Sequence, residues 1–157
     1  GCWIYGAMDS MLLSNRVAAS LIYKYDATAC TDITGFGLLG HMVEMIRPSG
    51  VDVDVNMNLL PVLDGAEETI EMGILSSLQP ANVRLRRAIR NHEQAAQSNR
   101  FPLVFDPQTS GGLLASVPSS KAEACVRELH EAGFTAAAVV GEVRARSDYL
   151  EPVMLLN

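Results

Sequence analysis

Residues 28–41 read TACTDITGFGLLGH, and the division of this stretch into strand, turn and helix decides how the chain is organised. Thr28 to Ile33 is short and β-leaning, Thr34 is the natural N-cap of the next helix, and Gly35, Gly37 and Gly40 open that helix. It is predicted to bury Leu38, Met42, Met45 and Ile46 and to end near Arg47, because Pro48 disfavours helical geometry in the residue before it. Glycines let backbone N–H groups approach a ligand closely, and a helix start carries unpaired donors and the positive end of the dipole. Such an element holds phosphate. A carboxylate beside it repels the anion unless a cation such as Mg²⁺ lies between them, since hard cations take oxygen ligands from both sides. Asp32 is therefore the predicted metal ligand.

Outward from this stretch, Asp9 to about Lys24 places Met11, Leu12, Ala18, Ala19 and Ile22 at helical spacing, which predicts one largely buried helix capped by Asp9 or Ser10. The preceding Gly-Cys-Trp opens no obvious element. Val51 to Val55 alternates Val-Asp-Val-Asp-Val, the pattern of a strand with one dry face. A short helix is expected from Asp64 to Met72, ending at Gly73, and a longer one from Ala81 to about Ser98 with Arg84, Arg86, Arg87 and Arg90 on its other side. Phe101 to Phe105 and Leu113 to Val117 read as strands flanking the turn DPQTSGG, and Ala136 to Val140 as the last strand. Between them, Ser120 with Glu123 predicts a capping box, and Gly133 closes that helix. Irregular alternation of elements argues for an α+β fold, a single sandwich domain with a mixed or antiparallel sheet covered by helices.

The length of 157 residues suits one domain, and 48% hydrophobic with 19% charged residues describes a chain with a core. A net charge of -6 argues against unspecific nucleic-acid binding, which needs a broad cationic surface. No apolar run approaches the roughly 18 residues of a membrane helix. Cys2, Cys30 and Cys125 form neither a disulfide framework nor a CxxC motif, which fits a reducing, cytoplasmic compartment. Since the sequence begins at Gly1, it is expected to be a fragment of something longer.

Several readings compete. Gly35 to Gly40 spells GxGxxG, with Asp52 and Asp54 downstream, the outline of a dinucleotide fingerprint. Against it stand a preceding strand that is not continuously apolar, the charge of Asp32 and the want of further βαβ units. The glycines also suit a tight turn with close helix packing. PQTSGG offers hydroxyls and backbone N–H groups to an anion, yet lacks the Lys and spacing of a P-loop, so a simple connection is the plainer reading. The arginine run reads first as a solvated face and second as a docking surface or phosphate clamp. His92 reads as a hydrogen-bonded core histidine, Cys30 as a small buried hydrophobe, and His41 as a neighbour of the site.

Together, ACTDITGFGLLGH at 29–41 and FDPQTSGGLLASVP at 105–118 closely resemble the C-terminal half of the selenophosphate synthetases, or selenide, water dikinases, within the aminoimidazole ribonucleotide synthetase superfamily. The looser similarity runs to GEV at 141–143. Thiamine-monophosphate kinases and a hydrogenase maturation factor are relatives that share one or other motif. The resemblance implies conversion of ATP, selenide and water to selenophosphate, AMP and phosphate. It further implies an N-terminal domain, absent here, that carries most of the ATP site and pairs into a homodimer. Asp32 would join that domain's carboxylates around Mg²⁺, and Thr34, Gly35 and Gly37 would lie against the phosphates. The family's nucleophilic Cys or selenocysteine and its Lys have no counterpart in this chain, so no catalytic residue is assigned, and the chain alone is expected to be inactive. The alternative of another class is an interaction module that docks a partner.

Overall fold

The computed structural model describes residues 1–157. In chain order it contains α1 (Cys2–Leu12), α2 (Arg16–Lys24), β1 (Ala29–Asp32), α3 (Gly37–Ser49), β2 (Val51–Asn56), α4 (Ala66–Glu71), α5 (Gln79–Asn82), α6 (His92–Ala95), β3 (Leu113–Ser116), α7 (Ser119–Glu131), β4 (Gly141–Ala145) and β5 (Val153–Leu156), with 3₁₀ segments at Met57–Leu59, Val83–Ala88 and Phe101–Phe105. The class is α+β, with the strands divided between two small sheets. One pairs β1 antiparallel with β3, Asp32 opposite Leu113; the other sets β2 between β4, antiparallel, and β5, parallel.

The alternation of Val51 to Val55 makes β2 the centre of the larger sheet. Val53 and Val55 enter a core with Leu39, Met42, Val43 and Ile46 of α3, Phe105, Val153 and Leu155. α3 therefore packs between both sheets and carries the glycine turn at its start. A second, smaller core joins Ala18 and Ile22 of α2 to Cys125 and Leu129 of α7, over β3. Glu128 draws those helices together, accepting from Tyr25 Oη at 2.6 Å and Lys24 Nζ at 2.7 Å.

Asp52, on the face of β2 opposite the valines, is buried as well. Its carboxylate accepts from Arg90 Nη2 and Arg146 Nη1, each at 2.7 Å, and from both the N–H and hydroxyl of Ser147. Arg90 in turn stacks 4.3 Å from the Tyr149 ring centroid. A buried charge is tolerated where each oxygen has a donor. The Ser147 hydroxyl first, against desolvation, and the two guanidiniums after it hold the Asp52 carboxyl well below the usual carboxylate range. The unfolded chain thus takes up a proton here, at about pH 3.9, that the folded chain refuses. The contribution is complete above that pH and lost as pH falls. Asp52→Asn is expected to lower the urea midpoint at neutral pH, and the gap to the native chain should close on acidification.

Several elements differ from expectation. The helix expected over Asp9 to Lys24 is two: α1 starts at Cys2 and buries no residue, whereas α2 follows a break at Leu13–Asn15. The break serves Asn15, whose side-chain amide donates to Gly111 O at 2.9 Å. α3 runs through Pro48 to Ser49, because in a last turn proline forfeits little helix, and Gly50 closes it in the left-handed region. The long helix over Ala81 to Ser98 breaks into α5, a 3₁₀ run and α6: Ile89 extends to bridge Val153, and Arg90 N donates to Val153 O at 2.7 Å. Tertiary pairing overrides helix propensity there.

Phe101–Phe105 is a 3₁₀ turn, with Pro102 in its first turn, so β3 has no hairpin partner across DPQTSGG and pairs with β1 instead. The last predicted strand, Ala136 to Val140, is irregular; pairing starts at Gly141, opposite Val55. α7 begins at Ser119 behind Pro118 without a side-chain cap, so the Ser120–Glu123 box does not form. No helix is long and apolar enough to cross a membrane.

Candidate functional site

The seam between the two sequence motifs defines the site. β1 ends at Asp32, and the chain then turns through Thr34-Gly35-Phe36 into α3. Against this turn lies the segment from Phe105 to Gly112. Gln108 N donates to Thr34 O at 3.0 Å, and Ile33 N donates to Gly112 O at 2.9 Å. Asn82 bridges both sides from below, its buried amide donating to Gly35 O at 2.9 Å and Phe105 O at 3.0 Å.

Two glycines are required by this seam itself. Gly37 sits at φ +68, and a Cβ there would stand 2.9 Å from Asp106 O and Phe105 C. At Gly111 a Cβ would collide with Ile33 O. Gly35 is different: its Cβ would meet nothing within 4 Å. PQTSGG is thus more than a connection, since it forms the second side of the turn.

Thr34 does not cap α3. The helix starts after Phe36 with no side-chain cap, and the Thr34 hydroxyl instead lies 3.0 Å from His41 Nε2. The residue best suited to satisfy the first donors of α3 is engaged elsewhere, which leaves those donors to backbone, solvent or a ligand. Asp32 is exposed, and no hydrogen bond or ion pair engages its carboxylate. Nowhere in the chain do three His, Cys, Asp or Glu side chains converge as a metal centre. The donor chemistry still fits part of a divalent-cation shell: a free carboxylate is a hard oxygen ligand, and such an ion takes about six or more oxygens, most of which this chain does not supply.

Other residues fall where the sequence did not put them. Cys30 is exposed rather than buried, and Cys125 takes the core position. Partial desolvation first and the Asp32 carboxylate second push the Cys30 thiol up, away from the thiolate. Asp106, read only as a turn residue, is half-buried on the seam; desolvation raises its carboxyl against the opposing bond from Gln108 Nε2 at 3.0 Å. Arg84, Arg86 and Arg87 stay exposed, but Arg90 is drawn to Asp52. His92 packs edge-on to Phe101 and is half-buried. Asn82 had a sequence signal, since it stands three and seven residues before Leu85 and Ile89 on a stripe otherwise apolar.

The GxGxxG outline does not produce a dinucleotide fold. β1 and β2 lie in different sheets, β1 pairs antiparallel, and Asp52 and Asp54 are engaged by arginines. What remains is an α+β domain with a glycine turn, a free carboxylate and a second glycine-rich segment seamed against it. The chain belongs to the AIR synthase related proteins, as their C-terminal domain, whose family model matches residues 7–150. Among curated relatives, a selenide, water dikinase of Caldanaerobacter subterraneus subsp. tengcongensis is 36% identical over 143 residues, covering 91% of this chain and 41% of the relative. The selenide, water dikinase of Pelobacter propionicus is 44% identical over 135 residues, covering 85% and 38%. The chain spans about two fifths of the length of the relatives it matches.

Proposed function

We propose that this chain is the C-terminal domain of a selenide, water dikinase and supplies one wall of an active site completed by a preceding domain. The observation that carries the reading is the seam: a free carboxylate at Asp32, an uncapped start of α3, and Gly35 in open space lie within six residues of one another. A glycine that its own chain does not require suits a place where something from outside comes close. Asp32 would hold Mg²⁺ together with carboxylates of the other domain, and the ion when bound supplies positive charge between phosphoryl oxygens of ATP. Thr34, Gly35 and Gly37 would line the phosphate side, with the N–H groups of α3 orienting the anion.

The surface of α1 supports a covering partner within the same protein. Ile4, Tyr5 and Leu12 are exposed on it, and Trp3, 40% exposed, lies over Gly65. Contiguous apolar surface of this kind seldom stays solvated. By itself the chain is expected to self-associate in sedimentation experiments, and Ile4→Glu with Leu12→Lys should return it to monomer. In the complete protein, the same face would meet the preceding domain, and homodimerisation would rest on that domain.

The test is formation of AMP and phosphate from ATP and selenide. The complete protein should turn over and the isolated chain should not; AMP formation by the isolated chain overturns the reading. As an alternative, a non-catalytic docking module would keep turnover and lose association when Asp32 is replaced. The thiamine-monophosphate kinase and hydrogenase maturation readings have no observation here in their favour beyond the shared family.

A further inference from the structure

His41 is the one buried histidine of the chain, 7% exposed, and the proposed function leaves it unused. It stands in the second turn of α3, beneath the exposed ring of Phe36, whose centroid is 5.7 Å away. On one side its Nε2 lies 3.0 Å from Thr34 Oγ1. On the other its Nδ1 lies 3.2 Å from Glu44 Oε2, one turn further along the helix. That second contact is off the line of a good hydrogen bond, and Nδ1 has no other partner. A buried ring nitrogen without an acceptor is costly, whereas the Glu44 side chain is 60% exposed and free to align.

We infer that His41 is a positioning residue, held by Glu44 in the Nδ1–H tautomer so that the Thr34 hydroxyl must donate its proton inward to Nε2 and present its oxygen lone pairs outward. In a neutral imidazole one nitrogen donates and the other accepts. Glu44 is only an acceptor, so it selects the proton for Nδ1; Nε2 is then an acceptor, and the only proton available to it at 3.0 Å is that of Thr34. A hydroxyl so fixed offers acceptors two residues beyond Asp32, which suits a cation or its bound water better than a bare phosphate oxygen. The inference rests on the reading of this turn as the ligand-facing wall and refines it at one residue: the Thr34 oxygen faces the cation that the phosphates share, and Gly35 and Gly37 keep the phosphate side. His41 itself touches no ligand.

Histidine-selective ¹⁵N labelling of the chain reads the tautomer directly from the ring nitrogen shifts at mildly alkaline pH. The expected result is the His41 proton on Nδ1. Glu44→Ala, at an exposed position that leaves the fold intact, should move the population toward Nε2–H, and Thr34→Val should shift the Nε2 resonance. Nε2–H in the native chain, or a tautomer indifferent to Glu44→Ala, overturns the inference. In the complete protein His41→Leu should lower turnover at least about tenfold more than it raises the KM for ATP, and His41→Gln, which restores an amide near the Nε2 position, should recover most of it. Equal losses in both variants would mean packing alone and also overturn it. Should Asp32→Ala leave turnover unchanged while the tautomer behaves as expected, the active-site reading fails and the positioning of Thr34 stands.

Discussion

Asp32→Ala in the complete protein is expected to reduce turnover by a factor on the order of 10² or more if Asp32 holds Mg²⁺ as proposed, since a metal ligand contributes several kcal/mol of charge stabilisation to phosphoryl transfer. Folding should be untouched. The side chain is exposed at the end of β1 and makes no hydrogen bond or ion pair, so its removal falls in the class of surface changes worth about 0.5 kcal/mol or less. Asp32→Asn separates charge from shape: it keeps an oxygen and loses the anion, and should be nearly as inactive. The loss should also be partly relieved by raising Mg²⁺, because a weakened site refills by mass action. Steady-state AMP formation across a magnesium titration, with a thermal melt of each variant, checks all three statements. A fall in melting temperature parallel to the fall in turnover would instead place Asp32 among the structural residues.

Gly37→Ala should have the opposite signature, a large loss of stability in the chain itself. The position holds φ +68, and the new Cβ would stand 2.9 Å from two backbone atoms of Phe105 and Asp106. Backbone strain of about 1–3 kcal/mol adds to overpacking of about 1–3 kcal/mol. A combined loss near 3 kcal/mol corresponds to a fall of roughly 6–12 °C in melting temperature for a domain of this size. Gly35→Ala is the control, because its Cβ meets nothing within 4 Å. It should melt with the native chain yet slow the complete protein, if an external phosphate is what approaches there. Two glycines two residues apart thus divide into one demanded by the fold and one left open.

What was legible in the sequence was local. β1 and β2 arise from neighbouring residues, the short β-leaning run and the valine alternation, and the body of α3 from its apolar spacing. Asp32 and the glycine turn were visible for the same reason. The misread regions are those where a distant partner sets the backbone. Ile89 and Arg90 leave a helical pattern because β5 takes their backbone groups, and Asn91 closes the joint with side-chain bonds to both N and O of Leu155. β4 lies five residues beyond its apolar-looking neighbour, where Arg144 can face Asp54. Phe105 looks like strand and is a core anchor at the end of a 3₁₀ turn. At the site, the link from Thr34 to His41 had no signature, because a hydroxyl before a helix reads as a cap whether or not it caps.

The parallel place of β5 beside β2 bears on how the domain is made. Val153 and Leu155 are buried in the main core, and their partners Val53 and Val55 are a hundred residues earlier in the chain. Contacts so distant in sequence form late and slowly. On the ribosome, the larger sheet cannot close until synthesis has passed residue 155, so Val53, Val55 and α3 emerge with one side of their core missing. The nascent domain therefore exposes apolar surface until β5 is made, and truncations inside 153–156 should yield aggregates rather than a shortened, folded protein.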